Sequence, residues 1–278
     1  MVGSAIGAAI AYGLKSSQLT IFSSVATGAF GYTLGGPVGA YIASVLGVEV
    51  GELVAGKTKI DIILVPSITI ITGGLAGKFV GPYISTFMTD IGSVINIATT
   101  LHPIPMGIAV STLMGIALTT PISSAAIAIS LNMTGLAAGA ATMGCCAQMV
   151  GFAVSSYREN KISGLISQGI GTSMLQVSNI LKNPLILFPP TITGAILGPI
   201  ATTVFKIENI SIGAGMGTSG LVGPIGTFTA MQGIKPNSIL ILQIIVLQFI
   251  VPALISISIS EFMRKKGWIK FGDMKLDL

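Results

Sequence analysis

Charge is what this chain has least of. Lys, Arg, Asp and Glu together make 8% of its 278 residues, where a soluble domain carries about 25%. So few charges cannot cover a water-facing surface, which excludes a soluble globular enzyme. Disorder is excluded as well, because 51% of the residues are hydrophobic and disorder needs the opposite balance. Histidine occurs once. Cysteine occurs twice, side by side at Cys145 and Cys146, so the chain has no CxxC and no Cys/His ligand set. Neither a metal, a cofactor nor a catalytic residue is expected. HExxH, GxSxG and a Walker A loop are all missing, which leaves hydrolysis and ATP-driven pumping without their residues. No run of arginines points to a voltage sensor. No basic stretch precedes the first apolar run, so a cleavable signal is not expected either.

What is present is apolar sequence broken by glycine and proline. Mean hydropathy is +0.89, with 36 Gly and 13 Pro, a mixture that fits membrane helices with interruptions. A span needs about 20 apolar residues. Residues 2–14 fall short of that and leave room for a further span upstream. Residues 19–32 and 38–54 follow, parted by Leu34-Gly35-Gly36-Pro37. Residues 60–83 form a span, and 85–101 an amphipathic stretch with Asp90, Ser93 and Asn96 at helical spacing. Further spans are expected over 105–120, 135–157, 186–205 and 238–263. Residues 121–131 suit a re-entrant half-helix, and 208–232, rich in glycine and hydroxyls, a second re-entrant segment. Residues 164–181 are too polar for lipid and belong at the interface or along a cavity.

The expectation is an all-α polytopic membrane protein. It has about 7–9 transmembrane helices, two re-entrant hairpin segments and interfacial amphipathic helices. Residues 1–278 read as one membrane-embedded domain: N-terminal helices over 1–84, a solute-binding region over 85–235, and the last helix with a basic tail over 236–278. Of the 14 basic residues, Arg158, Lys161, Lys182, Arg264, Lys265, Lys266, Lys270 and Lys275 fall on one side if the C-terminus is inside. Lys15, Lys57, Lys59, Lys206 and Lys235 fall on the other, which favours a cytoplasmic C-terminus. The net charge of +5 is therefore a topological signal, and no nucleic-acid partner is expected.

Internal echoes point to the binding region. Gly169-Ile170-Gly171-Thr172-Ser173-Met174-Leu175 matches Gly215-Met216-Gly217-Thr218-Ser219-Gly220-Leu221 at five of seven positions. Discontinuous segments in corresponding places mark a transporter's site. Glycine frees the backbone to approach a solute, and neutral hydroxyls and amides suit a sugar or polyol better than an ion. Gly217, Thr218 and Ser219, with Thr172 and Ser173, are the first candidates for substrate binding. The competing reading is a tight helix crossing through small residues. Glu208 and Asn209 precede the second echo, and Glu208 is either an intramembrane carboxylate with a function or an interfacial partner of Lys206. His102 either donates to a solute hydroxyl or begins the next helix. Asn132 and Thr134 either touch solute or cap a bend. Gln148 must find a partner mid-span, between helices or on solute.

The stretches His102-Pro103-Ile104-Pro105-Met106-Gly107, Pro121-Ile122-Ser123-Ser124-Ala125-Ala126-Ile127-Ala128, Gly135-Leu136-Ala137-Ala138-Gly139-Ala140, Asn183-Pro184 and Gly215 to Pro224 carry a family likeness. Over roughly residues 60–235 the chain resembles the enzyme-IIC-like membrane proteins of the sugar phosphotransferase system, in the branch that includes proteins named as perfringolysin regulators. The resemblance implies a permease subunit in the bacterial cell membrane, a homodimer, that binds a sugar or polyol. Separate enzyme IIB and IIA proteins would supply the phosphate. The Gly-Ile-Pro-Glu-like motif of glucose-type permeases has no counterpart here, so His102 and Glu208 are not matched to that family's His and Glu. Two other classes compete: a membrane sensor or regulator that keeps the fold without transport, and an ion-coupled transporter.

Overall fold

The computed structural model describes the backbone of residues 1–99 and 101–276, and their side chains apart from 88, 89, 91–94, 96, 99 and 130. Ser93 and Asn96 of the amphipathic stretch therefore lie outside the described side chains. No strand occurs among the described residues. The chain divides into two compact units, Met1–Ile91 and Gly92–Leu278.

The first unit is built on small-residue helix contacts. Helix α1 (Val2–Gly13) places Gly3 and Gly7 against Ser24 and Gly28 of α2 (Gln18–Glu52), and the Ser24 hydroxyl donates to the Gly7 carbonyl at 3.0 Å. Helix α2 is a hairpin rather than one long rod. Gly35 and Gly36 leave helical geometry, Gly36 at φ +61°, and Pro37 begins the second leg. The legs close on each other. A Cβ at Gly31 would lie 2.5 Å from the Gly39 carbonyl, and the Ser17 amide donates to Glu52 Oε1 at 2.7 Å. Only glycine accepts that φ without strain, so the Gly-Gly-Pro step reverses the chain.

Along the second leg, Gly39, Ala43, Gly47 and Gly51 recur every fourth residue. Ala43, Gly47 and Gly51 face Thr69, Gly73 and Gly77, also every fourth, on α3 (Asp61–Thr99), while Gly39 packs on Gly31 of the first leg. Such rows let backbones approach closely where lipid supplies no hydrophobic drive. Helix α3 continues through Pro66 and Pro82 into the stretch expected as a separate amphipathic helix.

The second unit wraps α6 (Gly135–Ser155), which is buried on every side from Ala138 to Gly151. Around it stand α4 (Pro103–Thr119), α9 (Pro184–Phe205) and α12 (Asn237–Lys265). Small residues make this possible. Gly144 packs on the Ser111 backbone, and Gly151 on Pro190 and the Ser256 hydroxyl. Ser111 Oγ donates to the Gly194 carbonyl at 2.8 Å. Between α4 and α6 the chain comes back in α5 (Ser124–Ser130). After α6 come α7 (Tyr157–Ile166) and α8 (Val177–Lys182), and between α9 and α12 come α10 (Ser211–Ala214) and α11 (Val222–Met231).

Among the described residues, five helices are long and apolar enough to cross a membrane: α2, residues 61–87 of α3, α6, α9 and α12. The two legs of α2 bring the five to six, and the shorter apolar helices α1 and α4 bring them to eight. The protein is an all-α polytopic membrane protein.

Candidate functional site

Two broken segments of the second unit meet beside α6. The first follows α7. Residues 167–171 open into a single π-turn, Thr172 is extended, and a short 3-10 turn leads to α8. The Thr172 hydroxyl holds this turn by accepting from the Met174 amide at 3.1 Å. The second runs from Lys206 to Met231. It passes Glu208 and Asn209, forms α10, turns over 215–221 and returns in α11 until Met231 Sδ accepts from the Glu208 amide at 3.5 Å. This is a re-entrant hairpin whose tip stops midway along α6. Gly217 sits there at φ +53°, where a Cβ would lie 2.6 Å from the Cys145 carbonyl carbon. Helix α5 braces the same tip, with Ser124 Oγ donating to the Gly215 carbonyl at 2.6 Å.

The two tips are the two sequence echoes, and they touch. Thr218 Oγ1 donates to the Gly169 carbonyl at 2.5 Å, and Ser219 Oγ to the Gly171 carbonyl at 2.9 Å. The broken backbone thus finds its acceptors' partners in the opposite segment. Alongside runs a row of neutral side chains. The hydroxyls of Ser173 and Thr119 share a hydrogen bond at 2.9 Å, Thr119 donates to Gln148 Oε1 at 3.2 Å, and Gln148 Nε2 donates to Thr191 Oγ1 at 2.8 Å. Thr119, Gln148, Ser173 and Thr218 are buried, whereas Thr172, Thr191 and Ser219 are half-buried. This is hydroxyl and amide chemistry without an acid, a base or a nucleophile. It can exchange hydrogen bonds with a hydroxylated solute. No group of His, Cys, Asp and Glu suited to a metal ion occurs among the described residues.

The other sequence candidates lie elsewhere. Asn209 is a buried hub: its Nδ2 donates to Thr142 Oγ1 at 2.6 Å, the Gly223 carbonyl at 3.0 Å and Thr227 Oγ1 at 3.2 Å. Its own amide reaches the Gly135 carbonyl at 3.3 Å, which ties the hairpin's base to the start of α6. Asn132, at φ +47°, is exposed and accepts from Ser211 Oγ at 3.4 Å. Thr134 is the exposed residue before α6, and Glu208 is half-buried at the hairpin base. His102 is the exposed residue before α4, at the opposite end of that helix from Thr119. The structure therefore gathers Thr172, Ser173, Gly217, Thr218 and Ser219 at one junction. Asn132, Thr134, Glu208 and Asn209 gather at the base of the hairpin, and His102 stands by itself.

Sequence reasoning passed over Thr119 and Thr191. Nothing in their local sequence distinguishes them from the other threonines that bond their own helix. It also read the last residues as a basic tail and saw no packing role for them. In the structure Ile269 and Met274 are buried, and amide side chains grip the tail's backbone. Asn160 and Gln176 both donate to the Met274 carbonyl, at 2.8 and 3.0 Å, and Asn179 donates to the Lys275 carbonyl at 2.9 Å. Gln176 donates in turn to Gln168, the residue before Gly169. A buried ion pair, Arg264–Glu159 at 2.9 Å, closes the clamp. Arg158, Lys161, Lys182, Lys265, Lys266, Lys270 and Lys275 share this end of the unit with Arg264, while Lys206 and Lys235 lie at the other, where Lys235 Nζ meets the Phe205 carbonyl at 3.0 Å.

Compared with known families, residues 1–276 match the family model described as Phosphotransferase system, EIIC. No curated protein and no solved structure matches the chain.

Proposed function

Because the chain belongs to the phosphotransferase-system EIIC family, we propose that this permease subunit carries a sugar or polyol past the junction of its two broken segments. The observation that supports this reading is the junction itself. Two carbonyls, Gly169 and Gly171, are held by two hydroxyls, Thr218 and Ser219, beside a neutral hydroxyl and amide row. A polyhydroxylated solute presents both partners at once: its hydroxyls donate to the carbonyls and accept from the side chains. Opening the tips then exchanges hydrogen bonds instead of losing them. Each such bond contributes about 0.5–1.5 kcal/mol net, so the pair holds the closed junction by a margin a ligand can overcome. A site of hydroxyls, amides and carbonyls argues against proton coupling, which needs a titrating group.

In this reading the end bearing the eight basic residues faces the cytoplasm, following the positive-inside rule. A separate IIB protein, phosphorylated by a IIA protein, receives the solute there, and two copies of the chain work as a homodimer. Thermal stability of the purified protein, measured against hexoses, pentoses, amino sugars, polyols and ascorbate, tests it. One solute should give a saturable rise in Tm that Thr218→Val removes, since a ligand at 100 times its Kd adds about 2.7 kcal/mol. Uptake of that solute with a IIB present should fall with the same substitution. Uptake indifferent to Thr218→Val and Ser219→Ala would overturn the reading. Binding without uptake would leave a sensor that retains the fold.

A further inference from the structure

The first unit carries a groove that the transport reading does not use. It has a volume of about 510 Å³ and lies between the first leg of α2 and α3. Phe30, Ile70, Ile71 and Leu75 wall it, Gly74 forms its floor, and Lys78 stands at one end. The only other polar side chain lining it, Thr27, already donates to the Ser24 carbonyl at 2.9 Å. Lys78 is exposed and takes part in neither of the ion pairs found among the described residues.

The groove has a direction. Gly77 packs beside Gly31, and Gly81 beside Leu34, so Lys78 lies about one turn from the hairpin reversal at Gly35 and Gly36. From Lys78 to Ile70 the groove descends two turns of α3, about 12 Å, toward mid-depth of the helices. A cation near the reversal with a carbon-lined channel leading inward has the polarity of one leaflet: head at the rim, chain toward the middle. An ammonium in that position calls for an anion.

We propose that this groove seats an anionic membrane phospholipid, with one acyl chain along Ile70, Ile71 and Leu75 and its phosphate against Lys78. A second copy of the chain is a poorer occupant. A two-fold axis along the bilayer normal brings equal depths together. The unit's acids Glu49, Glu52 and Asp61 lie toward the closed base of the hairpin, each about 13 Å or more from the depth of Lys78, and Asp90 lies about 18 Å further along α3.

The test uses the full chain, stripped of lipid in detergent, with phosphatidylglycerol and phosphatidylcholine of identical chains. Binding of a single retained lipid is read by native mass spectrometry. The protein should prefer phosphatidylglycerol about five-fold, the share of one lysine at a membrane surface. Lys78→Gln should bind the two lipids equally, and Lys78→Arg should keep the preference. Gly74→Leu should weaken both lipids. It is a tolerable change, because a Cβ there meets only Phe30 Cδ1, at 4.0 Å. Equal binding by the unmodified chain, or a preference that survives Lys78→Gln, overturns the proposal. So does a Lys78-dependent stabilisation that rises with protein concentration in the absence of lipid, which would place a second copy on this face.

Discussion

Gly217 and Gly171 belong to facing tips, yet they carry different physical demands. Gly217 is left-handed and pressed on Cys145, while Gly171 has open space where a Cβ would go and no positive φ. Gly217→Ala should therefore cost about 1–2 kcal/mol for the backbone alone, and more for the overlap, lowering Tm by several degrees. Gly171→Ala should leave Tm within error. Equal effects would mean that Gly217 is not pressed on α6 as described. Asn209 makes a second contrast. Its buried amide ties Thr142, Gly223 and Thr227 together, and each keeps another partner. Asn209→Ala therefore removes the link, leaves a polar cavity and should cost about 1–3 kcal/mol, read as a lower Tm in detergent. Asn132, exposed and bonded once through its side chain, should lose only about 1 kcal/mol on replacement by alanine, chiefly for its left-handed backbone.

Among the elements, the last residues act as a strap. Their backbone carbonyls are held by Asn160, Gln176 and Asn179, and Gln176 passes the restraint to Gln168 at the root of the first tip. Truncation after Lys266 removes Ile269 and Met274 from their apolar cluster with Phe152, Ile186 and Met263. It also exposes the Arg264–Glu159 pair to water. Amide exchange over residues 157–183 should rise, while the middle of α6 stays protected by α4, α9 and α12. Unchanged exchange across 157–183 would show that this segment holds its shape without the strap. The α2 hairpin was legible at this scale, because a Gly-Gly-Pro step between two apolar runs has one economical conformation. The continuity of α3 was not, since its change from apolar to amphipathic composition mimics a boundary that the hydrogen-bond ladder ignores.

At the scale of the whole molecule, the two ends of the second unit carry unequal numbers of basic residues. Eight basic residues gather around the strap, and Lys206 and Lys235 occupy the opposite end. A cysteine introduced at Lys266 should be labelled by an impermeant reagent only from the cytoplasmic face, and one at Lys235 only from outside. The two native thiols are fully buried and should give no background. The reverse pattern would invert the orientation and move the proposed IIB contact to the hairpin's base.

Composition and run length by themselves determine the class of this protein. Eight per cent charge and helical runs of membrane length leave one solvent in which the chain can hide its surface, and the glycine-rich breaks mark where helices stop. The echo of Gly169–Leu175 in Gly215–Leu221 likewise named both tips. That the tips bond to each other, that Thr119 and Thr191 join them through Gln148, and that the basic tail is clamped are facts of distant contacts. They pair residues 29 to more than 100 positions apart. A threonine's local sequence is the same whether its hydroxyl turns back on its own helix or crosses to another. Helix packing around α6 chooses between the two, because a buried polar group must take whatever partner the neighbouring helix presents.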